Sequence, residues 1–247
     1  MAQDSSTRDI AELKHLREEF TRFMMQYKFG IDELITKITI LREEFTHMHD
    51  YNPIEHVSSR LKTPESIIDK VQRKGCDPSF DAIRDSVTDI AGVRVTCSFI
   101  ADTYRVFEML TGQSDVRVIE IKDYIENPKP NGYKSLHALV EIPVFLSDGA
   151  VPVTVELQIR TVAMDFWASL EHKIYYKYQS QVPQDLLDDL KVAADTANRL
   201  DANMERLHAE VQNLHIADKP AGPRSLTPNE ELLEQLQQFR HGFATKG

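Results

Sequence analysis

The stretch Val151–His172, VPVTVELQIRTVAMDFWASLEH, reads as a strand running into a helix. Val153, Val155, Leu157 and Ile159 share one parity, and Thr154, Glu156, Gln158 and Arg160 share the other. Successive side chains of a strand point to opposite faces, so this alternation places one face on a core. The other face then carries an acid, an amide and a guanidinium in a row. A merely solvated face would more often carry Thr, Ser and Lys of mixed kind. Two readings of that row stand side by side, a solvated face and a functional one.

Outward from this stretch the chain punctuates itself. Toward the N-terminus, SLHALVEIPVFL pairs with it as a second strand across the turn at Ser147-Asp148-Gly149. VRVIEI and AGVRVTCSF are further strands, separated by a helix from Asp102 to Leu110 that Gly112 stops, and DYIENPKPNGY is a polar loop. Thr63-Pro64 opens a helix, Thr63 as N-cap and Pro64 in the first helical position, with Gly75 as its stop. From about Thr7 to Asp50 the chain reads as helix. Leu13, Leu16, Phe20, Phe23 and Met24 recur at helical spacing, and Ile31, Leu34, Ile35, Ile38 and Leu41 repeat the pattern after Gly30. Two helices close the domain, Val162 to Tyr178 and Gln184 to His215. DKPAGPRSLTP, from Asp218 to Pro228, is a linker by its Pro, Gly and Ser content, and Leu232, Leu233, Leu236 and Phe239 suggest a short tail helix.

Helices, then strands with one crossover helix, then helices again predict an α+β fold. The expected sheet is small, mixed and mostly antiparallel, flanked by N- and C-terminal helices. The expected division is an N-terminal helical extension at 1–50, a core at 51–180, a C-terminal helix at 181–217, and a linker and tail at 218–247 whose composition allows disorder.

The 247 residues suffice for one large domain, and 41% hydrophobic residues suffice for a packed core. A net charge of −10 argues against a generic nucleic-acid or membrane surface while leaving room for a local basic site. Cys76 and Cys97 give no disulfide framework and no metal-ligand spacing. No run reaches the length of a membrane span, and the polar start MAQDSSTRDI lacks an apolar leader. A reducing, cytoplasmic setting is expected.

Three groups of residues bear chemistry. In SRLKTPESIIDKVQRKG, Arg60, Lys62, Lys70, Arg73 and Lys74 outweigh Glu65 and Asp69. Ser66, Lys70 and Arg73 fall on one helical face, with Ile67, Ile68 and Val71 beside it as anchors. Arg60 and Lys62 stand just before a helix N-terminus, which favours anions. The group is either a solvated basic helix or a polyphosphate cradle without a glycine-rich loop. In TDIAGVRVTC, Asp89 stands at the mouth of an apolar strand, with Arg94 inside it. Alone Asp89 reads as a turn cap. Paired with Glu156 it becomes a candidate for holding Mg²⁺ against a triphosphate, because Mg²⁺ takes one or two carboxylates plus substrate phosphates. In NGYKSLH, Tyr133 follows a turn and either stacks a base or packs on its own loop. His137 shares the parity of Leu139 and Glu141, which is that of the polar face, and a lone strand histidine is more often structural than catalytic. His47, His49 and Asp50 lack the further His and Asp that a metal phosphohydrolase needs, and read as surface residues.

SRLKTPESIIDKVQRKG, DIAGVRV, NGYKSLH and VELQIRTVAMDFWASLEHKIYYKY, in this order, resemble the synthetase domain of RelA/SpoT-type alarmone synthetases. The match is to the small alarmone synthetases, which carry that domain alone, and it covers roughly residues 30–215. The resemblance implies a nucleotidyltransferase-like domain. It implies transfer of a pyrophosphoryl group from ATP to the 3′-hydroxyl of GDP or GTP, with AMP released and no hydrolase activity. It implies Asp89 as Mg²⁺ ligand, and Glu156 as second metal-side carboxylate and base. It implies Arg60 and Arg94 around adenine, with Lys62, Ser66, Lys70 and Arg73 on the ATP phosphates. It also implies Tyr133 under guanine, and Lys129, His137, Gln158, Arg160 and Asp165 as acceptor-side contacts. A homotetramer through the helical ends is implied too, with a regulatory alarmone or single-stranded RNA as a ligand of its central cleft. The rival from another class is a catalytically weak nucleotide- or RNA-binding regulator of the same fold, which loss of Asp89 or Glu156 would favour. A nucleotidyl-transferring relative is disfavoured by the NGYKSLH loop.

Overall fold

The computed structural model describes residues 2–49, 51–178 and 182–214, together with Leu233. The expected linker and the tail at 218–247 lie outside the described residues, apart from Leu233 itself, which is helical and exposed.

The element order is α1 (Ala2–Met48), β1 (Ile54–Leu61), α2 (Pro64–Lys74), α3 (Phe80–Ser86), β2 (Ala91–Cys97), α4 (Ile100–Thr111), β3 (Arg117–Asp123), β4 (Leu136–Leu146), β5 (Gly149–Thr161), α5 (Val162–Lys177) and α6 (Gln184–Leu214). The strands form one sheet in the order β1-β2-β5-β4-β3. Only β2 and β5 run parallel, and the other three pairings are antiparallel. The expected α+β class with a small, mostly antiparallel sheet is therefore the fold observed.

One sheet face is the core. Val153, Val155, Leu157 and Ile159 of β5 are buried, beside Ala138, Val140, Ile142 and Val144 of β4 and Val93 and Val95 of β2. α1 covers this face with Phe23, Tyr27, Ile31, Leu34 and Ile38, all buried and spaced at helical intervals along one stripe. α1 runs unbroken through Gly30. A Cβ at that position would lie 2.6 Å from the Val153 Cγ1 atom, so the glycine sets how closely the helix approaches β5. α4 adds Val106 and Leu110 to the same core.

The helix opened by Thr63-Pro64 is α2, with the Thr63 hydroxyl accepting from the Ser66 N–H and Gly75 closing it in the left-handed region at φ 64°. Two elements escaped the sequence reading. β1 is an edge strand with little buried beyond Ile54, so its residues show no alternation to read. α3 spans 7 residues, too few to display a helical stripe. One expectation is corrected: Ile67 and Val71 anchor α2, but Ile68 is 52% exposed, because only the i, i+4 pair faces the core.

Candidate active site

The register of the sheet builds the site. On its polar face, Arg60, Gly92, Glu156, Leu139 and Glu120 line up as cross-strand partners from β1 to β3. The next row holds Ser58, Arg94, Gln158, His137 and Lys122. Residues far apart in sequence thus become neighbours, and Glu156 stands in the central strand of the first row.

A cavity of about 290 Å³ opens on this face, lined by Ser58, Ser59, Arg60, Asp89, Gly92, Val93, Arg94, Glu156 and Gln158. Gly92 stands between Arg60 and Glu156, and a Cβ there would sit in ordinary contact, 4.0 Å from the Glu156 Oε2 atom. A smaller recess next to it is lined by Thr88, Glu120, Lys122, His137, Ala138, Leu139 and Glu156. Glu156 is the acid common to both.

Asp89 is held by two ammonium groups. Lys70 Nζ donates to Oδ1 at 2.7 Å, and Lys62 Nζ lies 3.1 Å from Oδ2. Burial works to raise the Asp89 pKa, but the bonds from Lys70 and then Lys62 hold it below the usual carboxylate range. Lys62 is itself buried. Ser66 lies beside the cap, its hydroxyl accepting from the Thr63 hydroxyl. Arg73 is exposed on α2 and does not line the cavity, so the structure does not bring it to the other site residues. Lys74 is committed elsewhere, donating to the Ser86 carbonyl at 2.6 Å.

On the other side, four side chains are linked in series around Glu156. Gln158 Nε2 donates to Glu156 Oε2 at 3.0 Å, and Arg160 Nη2 donates to Gln158 Oε1 at 3.0 Å. The same Arg160 nitrogen donates to the Tyr133 hydroxyl at 2.6 Å, and that hydroxyl lies 2.7 Å from His137 Nε2. His137 Nδ1 then faces Glu156 Oε1 at 3.7 Å. Arg160 has only protons to offer, so the tyrosine hydroxyl accepts from it and donates to His137 Nε2. The neutral imidazole therefore keeps its proton on Nδ1, toward Glu156. This imidazole is the largest influence holding Glu156 below the usual carboxylate range; burial opposes it and Gln158 assists.

Asp165, in the first turn of α5, joins the two sides. Its Oδ1 accepts from Arg94 Nη1 and from Arg160 Nη1, each at 3.1 Å. Burial, and then Arg160, pull the Arg94 pKa down, while Asp165 supports the charged form. Tyr133 is half-buried under a group of rings and cations. Lys129 Nζ lies 4.7 Å from its centroid and Arg160 Cζ 5.2 Å, within the range of a cation–π contact. Gly132 holds the loop at φ 88°, a region that only glycine enters freely.

Tyr124 was missed in the sequence. It meets Tyr133 and His137 edge-on, at centroid distances of 6.0 and 5.3 Å, and Lys129 lies 4.6 Å over its ring. It sits on the same polar loop as Tyr133, and an aromatic in so polar a run was the available signal. Ser58 and Ser59 were missed along with β1.

Asp89 and Glu156 line one cavity, and both carboxylates are held ionised, which is the donor set a hard divalent cation takes. The two lysines on Asp89 mark where positive charge is favoured. Among the described residues no group of three or more His, Cys, Asp or Glu converges, so phosphate oxygens would have to complete such a shell. Among the same residues no helix is long and apolar enough to cross a membrane.

A family model described as the region found in RelA / SpoT proteins matches residues 59–181. The GTP pyrophosphokinase YwaC of Bacillus subtilis (strain 168) is 48% identical over 208 residues, spanning 84% of this chain and 99% of that protein. The solved small alarmone synthetase 1 from Bacillus subtilis bound to its product pppGpp superposes with a TM-score of 0.72 at 37% identity, covering 79% of this chain and 99% of the other. The same enzyme bound to AMPCPP gives a TM-score of 0.68 at 35% identity, covering 79% and 99%.

Proposed function

The chain belongs to the RelA/SpoT family and is a GTP pyrophosphokinase that makes (p)ppGpp, and on that premise we propose how its site divides the work. The observation that carries the proposal is the position of Glu156, shared by the cavity of Arg60, Asp89 and Arg94 and by the recess of Lys122 and His137. The first is read as the ATP side and the second as the GDP or GTP side. The relatives solved with AMPCPP and with pppGpp support that pairing of substrates.

In this reading Glu156 accepts the proton of the acceptor 3′-hydroxyl. The oxygen then bonds to the β-phosphorus of ATP, the bond from that phosphorus to the α–β bridging oxygen breaks, and AMP leaves. The His137 Nδ1–H and the Gln158 amide hold the carboxylate oriented for that transfer. Arg60 and Arg94 stack on adenine, which suits planar guanidinium groups. Lys62, Lys70, Ser66 and Arg73 take the ATP phosphates. Lys62 and Lys70 do so by leaving Asp89. Tyr133 stacks guanine, with Lys129, Arg160 and Asp165 around the acceptor. Asp89 and Glu156 would hold Mg²⁺, which when bound polarises phosphate oxygens and neutralises their charge. Loss of either carboxylate would favour a regulator without turnover, and both line the cavity.

Assembly follows from two exposed apolar stripes, Ile10, Leu13 and Leu16 on α1 and Leu200, Met204, Leu207 and Val211 on α6. Burying these stripes against further copies would give the homotetramer this reading expects. The two cysteines are free thiols, and burial pushes the Cys97 thiol up, as suits a reducing, cytoplasmic setting. The test is transfer of label from γ-labelled ATP, with Mg²⁺ and GDP or GTP. Label on a guanosine 3′ position with AMP released is the expected result. Label released as free phosphate or pyrophosphate instead would sink the acceptor reading.

A further inference from the structure

α6 reaches the acceptor side at three places. The Trp167 indole donates to the Leu190 carbonyl at 2.9 Å, and Trp167 in turn lies 6.5 Å from the Tyr133 ring. Ala194 packs against the Tyr133 loop so closely that a Cβ on Gly132 would lie 2.5 Å from the Ala194 Cβ. One face further along, Asp201 is 7% exposed and accepts from the Thr161 hydroxyl at 2.7 Å.

Thr161 is wholly buried and follows Arg160 directly. Its hydroxyl also accepts from the Met164 N–H at 3.1 Å, the bond by which an N-cap holds the first turn of a helix. Asp165 is the next residue in that turn, and its carboxylate holds Arg94 and Arg160. A hydroxyl has one proton. By giving it to Asp201, Thr161 turns its lone pairs toward Met164, so Asp201 sets the direction of the cap.

We propose that Asp201, through Thr161, is a positioning residue for the acceptor half of the site, fixing the first turn of α5 and with it the Asp165 carboxylate and the Arg160 fork. Asp201 lines neither the cavity nor the recess. Its effect passes along hydrogen bonds to Arg160, and from Arg160 to the hydroxyl of Tyr133. Small displacements of such a fork matter because substrate orientation enters the barrier directly. The proposal rests on the acceptor-side reading given above.

Steady-state kinetics of the full chain, with ATP and GDP varied independently, test it. D201A and T161V each lower kcat/KM for GDP by about ten- to a hundredfold and raise KM for ATP by a clearly smaller factor, because Asp165 also holds Arg94. D201N keeps an oxygen to accept from Thr161 and recovers most of the loss. The double variant D201A/T161V is no worse than the worse single one, because both break the same link. T161V keeps the branched side-chain shape and serves as the test should D201A fail to fold. Equal losses toward both substrates would overturn the proposal, as would a lower melting temperature with the GDP KM unchanged. If Y133A raises the GDP KM and neither D201A nor T161V does, the positioning role falls alone. If Y133A also leaves it unchanged, the acceptor assignment itself is what fails.

Discussion

The two halves of the site are stabilised in different ways. Around Asp89, charge is satisfied by charge: two lysines, one buried and one half-buried, close on a carboxylate that is 30% exposed. Around Tyr133, a directional chain of hydrogen bonds joins Glu156, Gln158, Arg160, Tyr133 and His137, and α6 packs behind it. In the proposed division of the site, a triphosphate draws Lys62 and Lys70 away from Asp89, and part of the ATP binding energy goes into breaking those ion pairs. In the same reading, the hydrogen bonds around Tyr133 put the orientation of the acceptor in place before it binds. Changes on the first side should alter nucleotide and salt dependence, and changes on the second should alter the acceptor KM.

The largest effect is expected where the halves meet. Glu156→Gln keeps the shape and an oxygen for Gln158 but removes the proton acceptor. Turnover should fall by about a hundredfold or more, a typical loss for a general base, while ATP binding measured by calorimetry is largely kept. Unchanged turnover would remove Glu156 from that role.

Tyr133 separates ring from hydroxyl. Tyr133→Ala should weaken the acceptor by about 1–3 kcal/mol, the usual worth of base stacking. Tyr133→Phe keeps the ring and loses only the bridge from Arg160 to His137, so about 0.5–1.5 kcal/mol is expected. If Phe costs as much as Ala, the tyrosine acts through the hydrogen-bonded chain and not through stacking.

How much of this was legible in the sequence depends on what each residue faces. β5 could be read because one face is buried along its length, and period two is the signature of that burial. β1 could not, because an edge strand in this position buries almost nothing past Ile54. Gly30 marked no helix end, since what it answers to is Val153 across the core. In the site, Asp89, Glu156 and the two lysines were legible as types and spacings. The chain of hydrogen bonds was not: His137 meets Gln158 only through the register of β4 on β5, and a one-residue slip would turn both away. Arg73 has the right helical phase but an exposed place, and phase alone does not tell reach.

A control on the comparison lies behind the sheet. Gly30→Ala gains about 1 kcal/mol of helix propensity but forces a methyl onto Val153, and overpacking costs about 1–3 kcal/mol. Net stability should drop by as much as about 2 kcal/mol on those magnitudes, with both substrate KM values unmoved. Denaturant unfolding beside kinetics checks this. A shifted KM would mean that the core face transmits strain to the site, and that the two halves are less separable than their contacts suggest.

The smallest effect concerns acid, and its sign should differ between the halves. Asp89 is held below the ordinary carboxylate range, burial being overcome by Lys70 and Lys62. Such a group contributes stability that is fully present above its unfolded value, about 3.9, and lost as pH falls through its folded value. Asp201 is shifted the other way, raised chiefly by burial with the Thr161 bond opposing. Its ionised form weighs against the folded state, so stability rises as pH falls from the folded value toward about 3.9, and levels off below. Melting temperatures of the nucleotide-free protein against D89N and D201N should show this. The margin of wild type over D89N is flat above about pH 5 and shrinks below about pH 4. The margin over D201N grows between neutrality and about pH 4 instead. Margins moving together would show that the lysines do not decide the state of Asp89, and the contrast between an ion-paired half and a hydrogen-bonded half would lose its electrostatic basis.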